Sequence, residues 1–569
     1  MWINYLDQAL LMAALAVTVN LLVGYAGQVS VAHAAFAGIG GYAVAFTTTK
    51  HDWPFALALL AGIVLAALVG VVIGMIALGL PEEFLILMTM AFSLALIGIF
   101  ATFNALGGIM GITGVDDLSL AGYQLDSPNA WLLPSAATLI LVFAICWRLG
   151  QSPYGRVLKG VREDSVAIGA IGKNVFGYKV GIFAITSGLA GLIGGMYTGW
   201  LGQATPSAFS FPLAMSVFAM VIVGGNANLL GSVIAGVALT MIEPVLRTGL
   251  GFQSTEASLI RLVIFGVLLI AVMILRPSGI LPERFGSVGR SKAGSTAPSS
   301  ETGGSIVQAR EVRDSDHEVA LSATGLSKRY GGIVAAKNIT LELRRGEITA
   351  LVGPNGAGKT TAFNLLTGTA VADTGTVTLN GKDITTMAPH GRVAAGLVRT
   401  FQDVRLFGRL TCLENVMLAV PNQPGEKVRH LFVPGRGVGH ADSTVAARAL
   451  EWLSFVGMAD EANTPVDALS YGQTKMISVA RTLATEADVL LLDEPCSGVD
   501  SFWLDRMLSL IKETRAAGRT ICLVEHNLEV VRELADHAYF MELGEITAAG
   551  TIDELTSSAR LSEAYFGAQ

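Results

Sequence analysis

The sequence predicts two parts of different fold class: a polytopic α-helical membrane domain over residues 1–285 and an α/β domain over residues 318–569. Residues 1–285 carry only 11 Lys+Arg and 12 Asp+Glu, whereas the rest of the chain carries 27 and 33. The C-terminal part contains short apolar runs such as "GEITALVG", "DVLLLDEP" and "TICLVEH". Such runs are typical of the buried strands of a parallel sheet.

The apolar segments of the N-terminal part predict eight or nine membrane spans. A helix needs about 20 apolar residues to cross a hydrocarbon core about 30 Å thick. The segment 34–49 is short and Gly-rich, which predicts a re-entrant or broken helix. The N-terminus lacks the basic region of a signal peptide, so we expect a retained first span. The candidate spans lie near residues 8–27, 34–49, 55–80, 84–106, 129–148, 176–200, 212–230, 231–248 and 257–275.

Basic residues in short loops predict which side faces the cytoplasm. The loop 147–174 carries Arg148, Arg156, Lys159, Arg162 and Lys173, and Arg276, Arg284, Arg290 and Lys292 follow the last span. Four predicted spans separate these regions, so both should lie on the cytoplasmic side. Residues 286–317 are rich in Gly, Ser, Thr and charge, which predicts a flexible linker.

Charge and cysteine content exclude two classes of protein. The net charge of −7 lacks the basic excess of a nucleic-acid binder, so we expect no nucleic acid as partner. The four cysteines show neither metal-ligand spacing nor the pattern of a disulfide framework. We expect them to be small buried side chains in a reducing compartment.

The stretch "GPNGAGKT" predicts a phosphate-binding loop between a strand and a helix. Gly353, Gly356 and Gly358 allow backbone N–H groups to surround phosphate oxygens. Lys359 would reach the β- and γ-phosphates, and Thr360 would offer its hydroxyl to Mg²⁺. The chemistry indicated is nucleotide binding.

The stretch "VLLLDEP" ends an apolar strand in two carboxylates. Asp493 can hold the shell of Mg²⁺, and Glu494 can polarise an attacking water. This pattern is common by itself, but it gains weight downstream of a phosphate-binding loop.

Further motifs in the same order resemble the ATPase domain of ABC transporters. "LSYGQ" (469–473) is similar to the ABC signature, although Tyr471 departs from the commoner "LSGGQ". Gln402 in "RTFQ", "SGVD" (497–500) and His526 in "LVEHN" resemble the Q-loop, D-loop and switch histidine. Tyr330 in "LSKRYGG" lies where this family stacks an aromatic ring on adenine.

The resemblance implies ATP and Mg²⁺ as cofactors and a role for each matching residue. ATP would be bound by Tyr330, Gly353, Pro354, Asn355, Gly356, Ala357, Gly358, Lys359, Thr360 and Thr361. The implied catalytic residues are Glu494, His526 and Gln402, and the implied Mg²⁺ ligands are Thr360, Gln402 and Asp493. Ser470, Gly472 and Gln473 of the signature, with Asp500 of the D-loop, would serve a partner's ATP.

The N-terminal part resembles permeases for branched-chain amino acids. "GYAGQVSVAHAAFAGIGGYAVA" (24–45), residues 153–197, "MVIVGGNANLLGSVIAG" and "LRPSGIL" carry this resemblance, and "RTFQDVRLF", "LTCLENVMLA" and "LSEAYFG" resemble the matching ATPase. The chain therefore resembles a fusion of the two subunits of a Liv-type importer. This implies ATP-driven uptake of branched-chain or related amino acids across the bacterial inner membrane, with the ATPase domain in the cytoplasm.

The resemblance also implies partners: a second permease, a second ABC ATPase and an external solute-binding protein, in a lipid membrane. A homodimer is the alternative assembly. A coupling helix is expected within residues 156–172, unless this is an ordinary solvated basic loop. Other functions left open are import of urea or short amides, an ABC exporter half-transporter and a membrane-anchored regulatory ATPase.

Overall fold

The structure is a computed structural model that describes residues 2–79, 82–115, 119–120, 122–125, 127, 129–283, 318–432 and 438–557. The predicted linker 286–317 lies outside the described residues, so it and the domain boundaries beside it stay predictions. The chain forms two compact units. The first contains Met1–Arg162 and Val175–Arg284, and the second joins Glu163–Asn174 to the described residues of the C-terminal part.

The first unit is almost entirely helical within the residues described. Its helices are α1 (Trp2–Asn20), α2 (His33–His51), α3 (Phe55–Ala77), α4 (Glu82–Thr102), α5 (Leu132–Gly150) and α6 (Pro153–Glu163), and, after the segment that belongs to the second unit, α8 (Val175–Leu201), α9 (Phe211–Gly224), α10 (Leu229–Pro244) and α11 (Ser254–Leu275). The π-helical turns Leu21–Tyr25 and Val245–Gly249 extend α1 and α10, and 3₁₀ turns lie at Asn104–Leu106, Gly108–Met110 and Pro206–Phe209. The strands are β1 (Ile112–Thr113), β2 (Ser119–Leu120), β3 (Tyr123–Gln124) and β4 (Gln203–Ala204).

Eight of the described helices are long and apolar enough to cross a membrane, which confirms the predicted polytopic fold class. Helix α2 adds a ninth long helix. The prediction of a broken helix at 34–49 was wrong, because α2 runs without interruption for 19 residues, or roughly 28 Å at 1.5 Å per residue. The glycines that suggested a break serve close packing instead.

Helices α2 and α8 approach each other through small residues. A Cβ atom at Gly194 of α8 would collide with the carbonyl oxygen of Ala37 on α2, and a Cβ atom at Gly40 would collide with the carbonyl of Gly191. Small residues at such crossings let two helix backbones come close, which is a main source of helix association in lipid. The Gly-rich composition of α2 therefore reflects its contact with α8.

We expect Gly194→Ala to destabilise the first unit by about 1–3 kcal/mol, because the added methyl group must push α2 away from α8. The measurement is the thermal unfolding of the detergent-solubilised chain. Gly266→Ala on α11 is the matched control, since a Cβ atom there meets nothing within 4 Å. Equal effects of the two substitutions would contradict the packing explanation.

Asn20 fixes α1 to the turn between α9 and α10. Its Nδ2 donates to the carbonyl oxygens of Gly225 and Asn228, both at 3.0 Å, and to Ser232 Oγ at 2.6 Å. Its Oδ1 accepts a hydrogen bond of 2.8 Å from the backbone N–H of Ala227. This buried amide satisfies backbone groups that a turn inside a membrane domain would otherwise leave unpaired.

The second unit is an α/β domain. Its strands are β5 (Val319–Tyr330), β6 (Ile333–Arg344), β7 (Ile348–Val352), β8 (Thr374–Leu379), β9 (Lys382–Asp383), β10 (Leu397–Arg399), β11 (Val489–Asp493), β12 (Thr520–Val524), β13 (His537–Glu542) and β14 (Glu545–Gly550). Its helices are α7 (Ser165–Ala170), α12 (Lys359–Thr367), α13 (Pro389–Ala394), α14 (Cys412–Ala419), α15 (Val428–Leu431), α16 (Val438–Phe455), α17 (Tyr471–Leu483), α18 (Ser501–Ala516), α19 (Leu528–Leu534) and α20 (Ile552–Ser557). Short 3₁₀ turns lie at Pro424–Glu426 and Val466–Ala468.

Two sheets organise this unit. The larger has the strand order β10-β11-β12-β7-β13-β14, parallel except for the last pair, and the smaller is the antiparallel sheet β6-β5-β8-β9. The strands predicted at β7, β11 and β12 are confirmed. Because β7, β11 and β12 are parallel neighbours, the residues that follow them emerge at one edge of the sheet. That edge holds the phosphate-binding loop, Glu494 and His526.

All four cysteines are free and buried.

Candidate nucleotide site

The phosphate-binding loop follows β7 and contains glycines in conformations that other residues rarely adopt. The φ angles of Gly353, Gly356 and Gly358 are +152°, +82° and +101°. A Cβ atom at Gly353 would collide with the carbonyl oxygen of Met541. The loop therefore needs glycine both for its conformation and for its contact with β13.

Lys359 begins α12 and folds back over the loop. Its Nζ donates to the carbonyl oxygens of Gly353 at 2.6 Å and Pro354 at 3.0 Å, and the side chain is buried. Burial lowers the pKa of Lys359, while the charges of Glu494 and Asp493 oppose that shift. The loop thus places a cation where it interacts with Asp493, which ends β11, and with Glu494, which follows it.

The three predicted catalytic residues meet at one carboxylate oxygen. Oε1 of Glu494 accepts a hydrogen bond from Gln402 Nε2 at 3.0 Å and lies 2.9 Å from His526 Nε2. Glu494 is buried, and its φ of +48° is unusual for a residue with a side chain. A strained, buried carboxylate with two side-chain partners at a sheet edge is typical of a functional position.

Asp493 is bound by a residue that the sequence reasoning missed. Oδ2 of Asp493 pairs with Arg399 Nη2 at 2.6 Å, and both side chains are almost fully buried. Arg399 also donates from Nη1 to Asn364 Oδ1 at 2.5 Å. Burial lowers the pKa of Arg399, and the charge of Asp493 opposes this shift. The signal in the sequence was only an arginine directly before the "TFQ" of the Q-loop motif.

Lys475 is a second residue that the sequence did not indicate. It lies on α17, is buried, and donates from Nζ to the carbonyl oxygens of Gln402 at 3.2 Å and Glu494 at 3.0 Å. The same lysine thus holds the backbone at both members of the Gln402–Glu494 hydrogen bond. Nothing in its sequence context distinguishes it from an ordinary helical lysine.

Glu525, directly before His526, was also missed. Its Oε1 accepts the backbone N–H of Cys496 at 2.7 Å, which connects the end of β12 to the loop after Glu494. Burial raises the pKa of Glu525. This hydrogen bond ties the residue before His526 to the loop that follows Glu494.

The residues present fit a magnesium nucleotide. Thr360 lies exposed in the first turn of α12, and Arg399 engages Oδ2 of Asp493. A hydroxyl, a carboxylate and the amide of Gln402 are oxygen donors of the kind that Mg²⁺ prefers. Tyr330 ends β5 with its ring half-exposed, 5.6 Å from Lys328 Nζ, so that one face can stack on a base.

The signature residues lie at the start of α17. Ser470 caps this helix: its backbone N–H donates to Gln473 Oε1 at 2.9 Å, and the N–H of Gln473 donates to Ser470 Oγ at 3.4 Å. A Cβ atom at Gly472 would collide with the Trp503 side chain. Asp500 caps α18 by accepting the N–H of Trp503 at 3.1 Å. The hydrogen bonds that the structure describes for Ser470, Gln473 and Asp500 join them to their own helix ends and not to the phosphate-binding loop.

The remaining predicted ATP-binding residues lie in the same loop and turn. Asn355 is exposed, Ala357 is buried, and Thr361 is partly buried. Their contribution to ATP binding stays a prediction.

The expected coupling segment contains α6 and α7, of which α7 belongs to the second unit. Ala170 at the end of α7 lines a small cavity together with Pro389 and Val393 of α13 and Phe401. Lys173 is also buried. The segment is therefore not an ordinary solvated loop.

Comparisons with known proteins agree with this arrangement. A family described as "Branched-chain amino acid transport system / permease component" matches residues 1–273, and the ABC transporter family matches residues 336–497. The chain is 36% identical over 248 residues to the high-affinity branched-chain amino acid transport ATP-binding protein LivG of Salmonella typhimurium, covering 43% of this chain and 97% of that protein. The ATP-binding protein BraF of Pseudomonas aeruginosa is 33% identical over 255 residues, with 43% and 97% covered.

A solved structure of a nucleotide-free ATP-binding cassette from an ABC transporter is 30% identical, covers 44% of this chain and 100% of that chain, and has a TM-score of 0.39. LivG of Escherichia coli K12 is 35% identical over 248 residues, covering 43% of this chain and 97% of LivG. With both parts of the chain matched, the protein belongs to the branched-chain amino acid (Liv-type) ABC transporter family and joins a permease component and an ATP-binding component in one polypeptide.

Proposed function

We propose that this chain drives the uptake of branched-chain or related amino acids across the bacterial inner membrane. Its C-terminal unit is an ABC ATPase whose hydrolysis of ATP is coupled to transport. The observation that carries the proposal is the presence, in one chain, of a branched-chain amino acid permease component and a site where Gln402 and His526 hold Glu494. The first unit would span the membrane, with the ATPase unit in the cytoplasm.

Each site residue receives a part in this proposal. When bound, ATP would supply the γ-phosphoryl group, and Mg²⁺ would supply the positive charge that neutralises the phosphate oxygens. Glu494 is placed to take a proton from water, and Gln402 and His526 fix the direction of its carboxylate. Lys359 and the loop 353–361 would hold the phosphates, Tyr330 the base, and Thr360, Gln402 and Asp493 the Mg²⁺.

The proposed assembly contains a second ATPase. Ser470, Gly472, Gln473 and Asp500 would complete the ATP site of that partner, which explains why their described hydrogen bonds hold their own helix ends. A second permease and an external solute-binding protein would complete the importer. A homodimer of this chain is the alternative assembly.

ATP binding can move the permease only if ATP binds one of two conformations more tightly than the other. We propose that α7 transmits this difference. It packs against α13, and Phe401, which lines the same cavity, directly precedes Gln402. A change at the Gln402–Glu494 hydrogen bond can therefore reach α7 through adjoining residues.

The substrate is tested by uptake of labelled leucine and labelled urea into cells that express the chain with its partners. Lys359→Ala removes the cation of the phosphate-binding loop, so we expect leucine uptake to fall at least about tenfold while urea uptake stays at background. Loss of urea uptake alone would instead identify an importer of urea or short amides. If neither rate changes, the proposed function is wrong.

A further inference from the structure

The segment Glu163–Asn174 carries opposite charges at its two ends. At its beginning, Asp164 caps α7 by accepting the backbone N–H groups of Val166 and Ala167, both at 2.9 Å from Oδ1. The other oxygen, Oδ2, pairs with Arg405 Nη1 at 3.1 Å. One carboxylate therefore both orders the helix and binds the ATPase.

At the end of the segment, a lysine enters the ATPase. Nζ of Lys173 lies 2.6 Å from Glu426 Oε1 and donates to the carbonyl oxygen of Val420 at 3.2 Å. The Lys173 and Glu426 side chains are only 6% and 13% exposed. Gln423 Nε2 also donates to the Val420 carbonyl, at 2.9 Å, so the accepting loop is held in place. Because the pair is largely desolvated, removing or reversing one of its charges would leave the other buried without a partner.

A buried arginine of the ATPase interacts electrostatically with Asp164. Arg481 of α17 is buried, and its guanidinium lies 5.1 Å from the centre of the Phe407 ring. Within the part of the chain that the structure describes, its Nε and Nη1 have no hydrogen-bond partner. Burial lowers the pKa of Arg481 to about 10, and the charge of Asp164 opposes this shift. The acid at the beginning of the segment thus interacts with two arginines, and the lysine at its end pairs with an acid.

Between the charged ends, α7 offers little apolar surface for recognition. Its sequence is Ser-Val-Ala-Ile-Gly-Ala, in which Ala167 and Ile168 are buried and Val166 stays 44% exposed; beyond α7, Ile171 is the other buried apolar side chain before Lys173. Such a short apolar contact would accept many grooves of similar shape. Discrimination between partners then depends on charges that would be repelled or left unpaired in a wrong complex.

We propose that the segment 163–174 recognises its ATPase by charge polarity, through Asp164 with Arg405 and Lys173 with Glu426, and so excludes an ATPase that lacks a base at 405 and an acid at 426. Its biological use rests on the proposed assembly, in which two different ATPases are present and each must meet the correct permease. The fused ATPase carries the matching polarity.

The test measures docking directly in the full-length chain. Ala170→Cys and Val393→Cys place two thiols at the lining of one cavity, and mass spectrometry of the linked peptides gives the disulfide yield. In this background, Lys173→Ala, Lys173→Glu and Glu426→Lys should each lower the yield at least about tenfold. The exchange K173E/E426K again places opposite charges opposite each other, and the Val420 carbonyl keeps its hydrogen bond from Gln423 Nε2, so the yield should return to within about threefold of the parent.

A matched control is Lys512→Glu, which breaks a Lys–Glu pair of the same 2.6 Å length on the surface of the unit, with Glu533. It should leave the disulfide yield unchanged. The proposal is overturned if the single variants dock normally, or if the exchange fails to restore docking. This readout needs neither solute uptake nor ATP hydrolysis, so failure of the proposed function would not affect its outcome.

Discussion

Glu494→Gln in the intact chain should lower the rate of ATP hydrolysis roughly 100-fold or more, the range expected when a general base is removed. The substitution keeps the shape of the side chain. It also keeps an oxygen that can accept the hydrogen bond from Gln402 Nε2, which in the parent lies 3.0 Å from Oε1 of Glu494. It removes the negative charge that lies beside His526 Nε2. ATP binding should therefore persist while hydrolysis is lost.

The measurement is phosphate release at saturating ATP, with binding of a fluorescent ATP analogue determined in parallel. Glu529→Gln is the matched control, because Glu529 is an exposed carboxylate on the same loop-to-helix stretch as His526. It should retain the parent rate. A fall of less than about tenfold for Glu494→Gln would exclude Glu494 as the principal base, since general bases contribute more than this.

The parts of the site that the sequence predicted are those in which residue type and local spacing already impose a chemistry. The glycines of the phosphate-binding loop are required by positive φ angles and by a contact with β13. Glu494 and His526 each follow an apolar strand, and parallel strands bring their carboxyl ends to one edge. Their placement at one edge of the sheet follows from that rule.

The missed residues depend on contacts that no local pattern encodes. Arg399 ends a strand of three residues, and its meaning arises only when β10 pairs with β11 about 90 positions later in the chain, as the register Arg399↔Leu491 shows. Lys475 acts through backbone carbonyls, whose positions cannot be read from side-chain types. The error at α2 has the same origin, because glycine at a helix crossing and glycine at a helix break look alike in sequence.

Arg399→Met should destabilise the ATPase unit by about 3–5 kcal/mol, the cost of leaving a buried charge without its partner. The substitution removes the ion pair to Asp493, whose side chain is 1% exposed, and the hydrogen bond to Asn364. Arg399→Lys should recover only part of this loss, since a lysine cannot reach both acceptors with the fixed geometry of a guanidinium. The measurement is hydrogen–deuterium exchange of the β10 and β11 amides in the nucleotide-free full-length chain.

The double variant R399M/D493L separates stability from chemistry at this ion pair. Replacing both buried charges by apolar side chains of similar size is often neutral for stability, so exchange in β11 should return close to the parent rate. Hydrolysis should be abolished, because the carboxylate proposed to hold Mg²⁺ is gone. If the double variant is as unstable as Arg399→Met, the cost does not come from an unpaired Asp493. The loss would then reside in the Asn364 contact and in the packing of the Arg399 guanidinium 5.4 Å from the centres of the Phe363 and Phe401 rings. If the double variant is stable and inactive, the loss of stability in Arg399→Met comes from leaving the buried Asp493 without its partner, and the loss of hydrolysis comes from removing the carboxylate itself.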